Sequence, residues 1–249
     1  MSSGNSSVRV ALITGAAGTM GAATAVRLVA DGYRVALVDI AKDRLDALAA
    51  QIGGASTPVV ADLSTPDGAA LAVSEAERAL GPIDILVNNA GILSNNKIAD
   101  TSPEEWRRVL GINLDGAFHL SRTVLPGMKS RRFGRIVNTC SYAMKSGGLT
   151  AGTAYTVSKG ALQALTFSLA REFAAFGVTV NGIAPAYVKT PMVTEALTEA
   201  QRQALIAQIP VGRFCEPEEF AHVVAFLVSP LAGFITGEII DLNGGLQFD

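Results

Sequence analysis

The chain has 249 residues, 49% of them apolar, two cysteines and a formal net charge of −2. Length and apolar content suit one large α/β domain over residues 1–249, and the charge balance leaves no basic stripe for nucleic acid or an anionic membrane surface. Two cysteines, Cys140 and Cys215, make neither a disulfide framework nor a metal cluster and suit a reducing, cytoplasmic setting.

In chain order, the polar start MSSGNSS reads as a frayed tail over residues 1–7, without the basic and apolar regions of a signal peptide. No apolar run reaches the ~20 residues of a membrane span. Residues 8–13 form a β-branched run of the kind buried in a parallel sheet. Gly15, Gly18 and Gly21 follow at once, then a helical stretch over 20–30, then a second strand over 35–38 ending in Asp39. Strand, glycine turn, helix, strand and terminal acid are the parts of a dinucleotide-binding unit. The glycines let backbone approach a pyrophosphate, and the helix N-terminus offers N–H groups and a positive dipole end.

Residues 43–51 are predicted helical, 58–61 a third strand ending at Asp62, 65–80 a helix stopped by Gly81 and Pro82, and 83–87 a fourth strand running into Asn88, Asn89, Ala90 and Gly91. Ser102, Pro103 and Glu105 predict a capped helix start, with Glu105 closing a capping box, and this helix is expected to run past Asn113 to Met128. A fifth strand over 135–139 precedes Ser141. A long helix over 152–176, a sixth strand over 178–183, helices over 198–209 and 217–228 and a last strand over 239–242 complete the pattern. Strand and helix alternate almost throughout, which means right-handed crossovers and a parallel sheet covered on both faces. The irregular segment 186–212 follows a strand's C-terminal end and is a candidate substrate lid.

Tyr155 and Lys159 stand at i and i+4 on the long helix, so they share a face. A tyrosine with an ordinary pKa near 10 is a poor proton carrier at neutral pH, and a cation beside it favours the phenolate. With the Ser141 hydroxyl at a strand end, the three could handle a proton at a carbonyl or alcohol oxygen.

These residues resemble those of the short-chain dehydrogenase/reductase family. The matching stretches are TGAAGTMG at 14–21, Asp62, NNAG at 88–91, Asn113, Ser141, YTVSK at 155–159 and the segment from Pro185 to Thr190. The resemblance implies a doubly wound Rossmann fold with a seven-stranded parallel sheet, and hydride transfer between a nicotinamide and a carbonyl or alcohol carbon. By the same resemblance Tyr155 is the general acid/base, Lys159 binds the nicotinamide ribose and lowers the Tyr155 pKa, Ser141 holds the substrate oxygen, and Asn113 fixes a relay water. Gly15, Gly18, Thr19, Met20 and Gly21 would face the pyrophosphate. Ile40, Leu63, Asn89, Ala90 and Gly91 would line the adenosine side, Asp62 would bind the adenine amino group, and Pro185, Val188 and Thr190 would hold the carboxamide. Asp62 and Thr190 could instead be helix caps, and Asn113 could be purely structural. The chain departs from the family at Thr19, where a glycine is usual, and at Ala186, which follows Pro185 in place of glycine.

Asp39, flanked by apolar Ala16 and Ile40, predicts NAD(H): a carboxylate there accepts from ribose hydroxyls and repels a 2′-phosphate. Lys42 and Arg44 fall on the next helix. The substrate wall is expected from 94–96, 142–149, Tyr187 and Met192, with Lys97, Lys145 or Lys189 available to a substrate carboxylate. The C-terminal NGGLQFD resembles the 3-oxoacyl and acetoacetyl thioester reductase branch, and a secondary-alcohol or hydroxy-acid dehydrogenase fits as well. The same scaffold could also be a non-catalytic nucleotide-binding or regulatory protein. Family and helix apolarity together suggest a homotetramer. No metal is assigned.

Overall fold

In chain order the elements are β1 (Val10–Thr14), α1 (Thr19–Ala30), β2 (Arg34–Asp39), α2 (Lys42–Ile52), β3 (Ser56–Val60), α3 (Pro66–Leu80), β4 (Ile83–Asn88), α4 (Pro103–Leu110), α5 (Gly116–Arg131), β5 (Gly134–Thr139), α6 (Ala143–Ser146), α7 (Thr153–Phe173), β6 (Val178–Pro185), α8 (Pro191–Thr194), α9 (Glu199–Ile206), α10 (Pro217–Val228) and β7 (Ile239–Leu242). They belong to a computed structural model that describes residues 8–195 and 197–248, without the side chains of Met192 and Val193. The tail over 1–7 and the wall residue Met192 therefore lie outside the described residues. The seven strands form one sheet in the order β3-β2-β1-β4-β5-β6-β7, and every pairing is parallel.

The sheet's two faces divide each strand by alternate residues, which is why the strands read as unbroken apolar runs. Leu12, Ala36, Val38 and Leu86 pack with Ala69 and Val73 of α3 and Leu120, Val124 and Met128 of α5. Ala11, Ile13, Leu37 and Val87 pack on the other side with Leu28 of α1, Leu45 of α2 and Phe220 and Val224 of α10. Residues 187–214 carry a separate small cluster in which Ile209 and Phe214 meet Tyr187, Leu205 and Leu246. No helix among the described residues is long and apolar enough to cross a membrane.

One expected helix is divided. The stretch from Ser102 to Met128 is α4, a π-helical turn at Gly111–Asp115, and α5. Such a turn rotates one residue out of the regular ladder, and here it carries Asn113. The buried Asn113 amide donates to Ile92 O (3.0 Å) and Ser158 Oγ (3.0 Å) and accepts from Ile92 N (2.8 Å). Those bonds to two other segments hold the bulge. The capping box is also incomplete. Ser102 Oγ accepts from Glu105 N as predicted, while the Glu105 carboxylate turns away to Ser94 Oγ and Asn96 Nδ2.

Candidate active site

Ligands of an open parallel sheet bind beyond the C-terminal ends of its strands, where the strand order reverses. In this sheet that place is the β1/β4 boundary. Thr14, the last residue of β1, accepts at Oγ1 from Asn89 N and Ala90 N, both at 2.9 Å. Asn89 Nδ2 donates back to Thr14 O (3.0 Å) and Gly15 O (3.3 Å). The glycine turn is thereby tied to the segment after β4. Gly15 has φ +62°, and a Cβ there would sit 2.9 Å from Ala90 Cα. A Cβ on Gly21 would lie 2.2 Å from Gly15 O, whereas one on Gly18 would lie 3.2 Å from the same atom. Gly18 is the N-cap of α1 in extended conformation, and Thr19 is the first helical residue. The Thr19 departure is therefore accommodated in the first turn of the helix, and Gly21 is the glycine the turn requires.

Two cavities flank this turn. One of about 170 Å³ is lined by Gly15, Asp39, Ile40, Asp62, Leu63 and Ala90, and touches Gly91 as well. Asp39 accepts from Ala17 N (3.1 Å), Ile40 N (2.8 Å) and Ala41 N (3.1 Å), so backbone N–H groups aim its carboxylate. Arg44, on α2 as expected, reaches back with its side chain and donates to Ala17 O. Asp62 accepts at Oδ1 from Ser64 N (2.9 Å) and Ser64 Oγ (2.7 Å), bonds that hold its carboxyl below the usual carboxylate range. The side-chain cap of α3 is its neighbour Thr65, which accepts from Gly68 N.

The second cavity, about 230 Å³, brings Ser141, Tyr155 and Lys159 together with Met20, Asn89, Gly91, Pro185 and Val188. The Ser141 hydroxyl accepts from Ala143 N (3.1 Å) and lies beside the Tyr155 phenol. Lys159 Nζ lies 5.7 Å from the Tyr155 ring centroid and donates to Thr139 O at 2.7 Å. A Cβ on Gly91 would be 3.3 Å from both Lys159 Nζ and Asn113 Oδ1, so that glycine permits the close approach. Thr190 is the N-cap of α8 without a side-chain cap bond.

The proton balance differs from the expectation in one respect. Burial pushes the Tyr155 phenol above its ordinary value, and the Ser141 hydroxyl beside it is what pulls it down. Lys159 is itself driven down to about 8, because burial disfavours the ammonium. The Ser141 hydroxyl lowers the phenol, and Lys159 Nζ stands over the Tyr155 ring. Cys140, against the same cavity, is pushed by burial up to about 11 and stays a thiol at neutral pH.

The substrate-side expectations divide. Tyr142, Ser146, Leu149 and Tyr187 line the cavity. The side chains of Ser94 and Asn96 instead bond Glu105. The three lysines have protein partners: Lys145 pairs with Asp241 (2.6 Å), Lys189 with Glu216 (3.1 Å), and Lys97 donates to Gly148 O and Ala151 O. The sequence assigned no role in the site to Ser158, Glu105 or the Thr14 hydroxyl. Only the position of Thr14 between strand and glycine turn, and of Ser158 beside Lys159, could have drawn attention to them.

Residues 15–247 match the family model described as Enoyl-(Acyl carrier protein) reductase. The chain belongs to the short-chain dehydrogenase/reductase family. It is similar to an acetoacetyl-CoA reductase of Rhizobium meliloti, 42% identical over 96% of this chain and 99% of that protein. It is also similar to a 3-oxoacyl-(acyl-carrier-protein) reductase of Thermotoga maritima, 37% identical over 96% of this chain and 97% of that one. A solved structure titled short-chain dehydrogenase/reductase SDR:Glucose/ribitol dehydrogenase, from Brucella melitensis, superposes with a TM-score of 0.90 at 37% identity, covering 97% of both chains. This short-chain dehydrogenase/reductase is thus an oxidoreductase acting on CH–OH groups, on a seven-stranded parallel Rossmann sheet.

Proposed function

We propose that this oxidoreductase uses NAD(H) to interconvert 3-oxoacyl and 3-hydroxyacyl thioesters, with Tyr155 as the proton donor and acceptor. The observation that carries this reading is the composition of the 230 Å³ cavity. Ser141 and Tyr155 both line it, and Lys159 is the one cation among the residues lining it. A substrate whose carboxylate must be paired inside the cavity finds no free lysine or arginine among the described lining residues. A neutral 3-oxoacyl thioester needs none, and this favours the thioester over a hydroxy acid. The names of the relatives point the same way.

The residues present fit a dinucleotide. The buried Asn89 Oδ1 and Thr139 Oγ1 have no partner within the protein. Gly15, Gly18, Thr19, Met20 and Gly21 would hold the pyrophosphate; Asp39, Ile40, Asp62, Leu63, Asn89, Ala90 and Gly91 the adenosine side; Lys159, Pro185, Val188 and Thr190 the nicotinamide half. When bound, the nicotinamide supplies or accepts the hydride. Ser141 fixes the carbonyl oxygen of the substrate. Tyr155 gives that oxygen a proton in reduction and takes it back in oxidation. Lys159, held by Thr139 O, restores the proton to Tyr155. Asn113 braces this arrangement through Ile92 and Ser158. Both of its amide N–H bonds are engaged there, so a relay water would rest on other atoms. Segment 186–212 would close over substrate, and the molecule would be a single domain assembled as a homotetramer.

Asp39 favours NAD(H), since its carboxylate opposes a 2′-phosphate. Arg44 at Ala17 O is the one observation that favours some use of NADP(H). The test is steady-state reduction of acetoacetyl-CoA with each cofactor. A kcat/KM higher with NADH supports the reading, and a higher value with NADPH overturns the cofactor assignment. No turnover of acetoacetyl-CoA beside turnover of simple ketones would overturn the substrate class.

A further inference from the structure

The wall of the cavity opposite Tyr155 is the segment 146–151, and the composition of that segment does not suit it to hold a shape unaided. Gly147 and Gly148 adopt φ +69° and +76°, a left-handed path open mainly to glycine, and the stretch has no strand partner and meets α7 at Thr156. Ser146, Leu149, Thr150 and Ala151 all line the cavity from it. Its next residue, Gly152, is the N-cap of α7, the helix that carries Tyr155 and Lys159. The conformation of this wall therefore bears on the substrate side and on the start of the catalytic helix together.

The neighbouring segment 94–97 grips it. Gly152 N donates to Ser94 O (2.6 Å) and Thr153 N to Asn96 O (3.0 Å). A Cβ on Gly152 would come 2.5 Å from Asn96 O, so the backbones touch. Lys97 then reaches across with its ammonium, donating to Gly148 O at 2.5 Å and Ala151 O at 2.6 Å. Hydrogen bonds from a charged donor are roughly twice as strong as neutral ones, and one ammonium offers three donors. The gripping segment is held in turn from α4: Glu105 receives Ser94 Oγ and Asn96 Nδ2 on its two carboxylate oxygens, which keeps its carboxyl below the usual range. Thr101 Oγ1 donates to Asn96 O and Lys97 O.

We propose that Lys97 is a positioning residue for the carbonyl substrate: its ammonium straps the 148–151 segment into the wall of the cavity by binding two of its carbonyl oxygens, with Glu105 anchoring the segment that presents the lysine. Lys97 touches neither Tyr155 nor the cofactor cradle, so it acts through the wall and not on the proton or hydride. The assignment of this cavity to substrate rests on the function proposed above; the strap itself rests on geometry alone.

The test compares Lys97→Met, which keeps the stem and loses the donors, with Lys97→Arg, which keeps a cation. In Lys97→Met the amides of Gly152 and Thr153 should exchange with deuterium at least tenfold faster. The KM for acetoacetyl-CoA should rise about tenfold, while kcat stays within twofold and the Kd for NADH is unchanged. Lys97→Arg should recover most of both effects. Unchanged exchange and unchanged KM in Lys97→Met would overturn the proposal, and so would a loss confined to kcat or to NADH binding. If Lys97→Met does not fold, Lys97→Gln is measured by the same exchange experiment, and normal protection there overturns the strap. Should the wild type fail to turn over acetoacetyl-CoA, the substrate assignment falls, and the exchange comparison still decides the strap.

Discussion

Tyr155 and Lys159 are both out of water, and that sets what each can do. Burial raises the phenol and depresses the ammonium to about 8, so at pH 7 the phenol is neutral while the lysine still carries most of its charge. Replacing Tyr155 by Phe removes the proton carrier and little else. We expect kcat to fall about a thousandfold with the NADH Kd unchanged by fluorescence titration, in line with the usual contribution of general acid/base catalysis. Lys159 makes a prediction about stability. Below pH 8 the folded and unfolded chains both carry the ammonium, and the folded state bears its full desolvation penalty. Between pH 8 and the ordinary lysine value of 10.5 the folded chain has released a proton that the unfolded chain still holds, so this group's contribution to stability rises with pH. Lys159→Met should therefore raise Tm relative to the wild type at pH 7, and thermal melts at pH 10 should show the difference reduced. At Asp39, a substitution removes the carboxylate from the 170 Å³ cavity while Arg44 stays at Ala17 O. Asp39→Ala should raise the KM for NADH and bring the NADPH/NADH ratio of kcat/KM towards one.

At the scale of elements, the meeting of β1, the glycine turn and α1 is governed by backbone contact. Gly21→Ala would place a Cβ 2.2 Å from Gly15 O, a backbone atom that cannot swing away. Overpacking of this kind costs about 3 kcal/mol at its upper end, and for a chain of this size that lowers Tm by about 6–12 °C. Gly18→Ala meets the same oxygen at 3.2 Å, from an ordinary extended conformation, and should change Tm by no more than ~3 °C. Differential scanning calorimetry of the two variants separates the glycine required by packing from the one that merely precedes the helix. The π-helical turn follows the same logic. Asn113 leaves the regular ladder because Ile92 and Ser158 satisfy its amide, and these partners lie on a loop and a helix distant in sequence.

For the whole molecule, the sheet has an apolar layer on each face, and several large apolar side chains remain exposed on the helices and loops. Phe118 of α5 and Val157 and Phe167 of α7 are each more than two-fifths exposed, and Leu231 and Phe234, between α10 and β7, are almost fully exposed. Exposed apolar side chains on these elements are where association between copies of the chain is expected. Light scattering is expected to give four times the 25.8 kDa chain mass. Phe234→Asp should shift the distribution to smaller species, and a wild-type monomer at micromolar concentration would overturn the assembly.

The sequence by itself determined the kinds of elements, their order and most of the site. Alternating apolar strands and helices can be covered only as a parallel sheet with helices on both sides. Motif residues such as Gly15, Asp39, Ser141, Tyr155 and Lys159 sit at strand and helix ends, where short-range spacing places them. Tertiary structure alone decided which groups meet across those ends. The reach of Arg44 to Ala17 O, the turn of Glu105 away from its own cap, the bulge at Asn113 and the strap made by Lys97 all depend on partners far along the chain. The balance of pKa values at Tyr155 belongs with them, because burial is a property of the packed molecule and leaves no local trace in the order of residues.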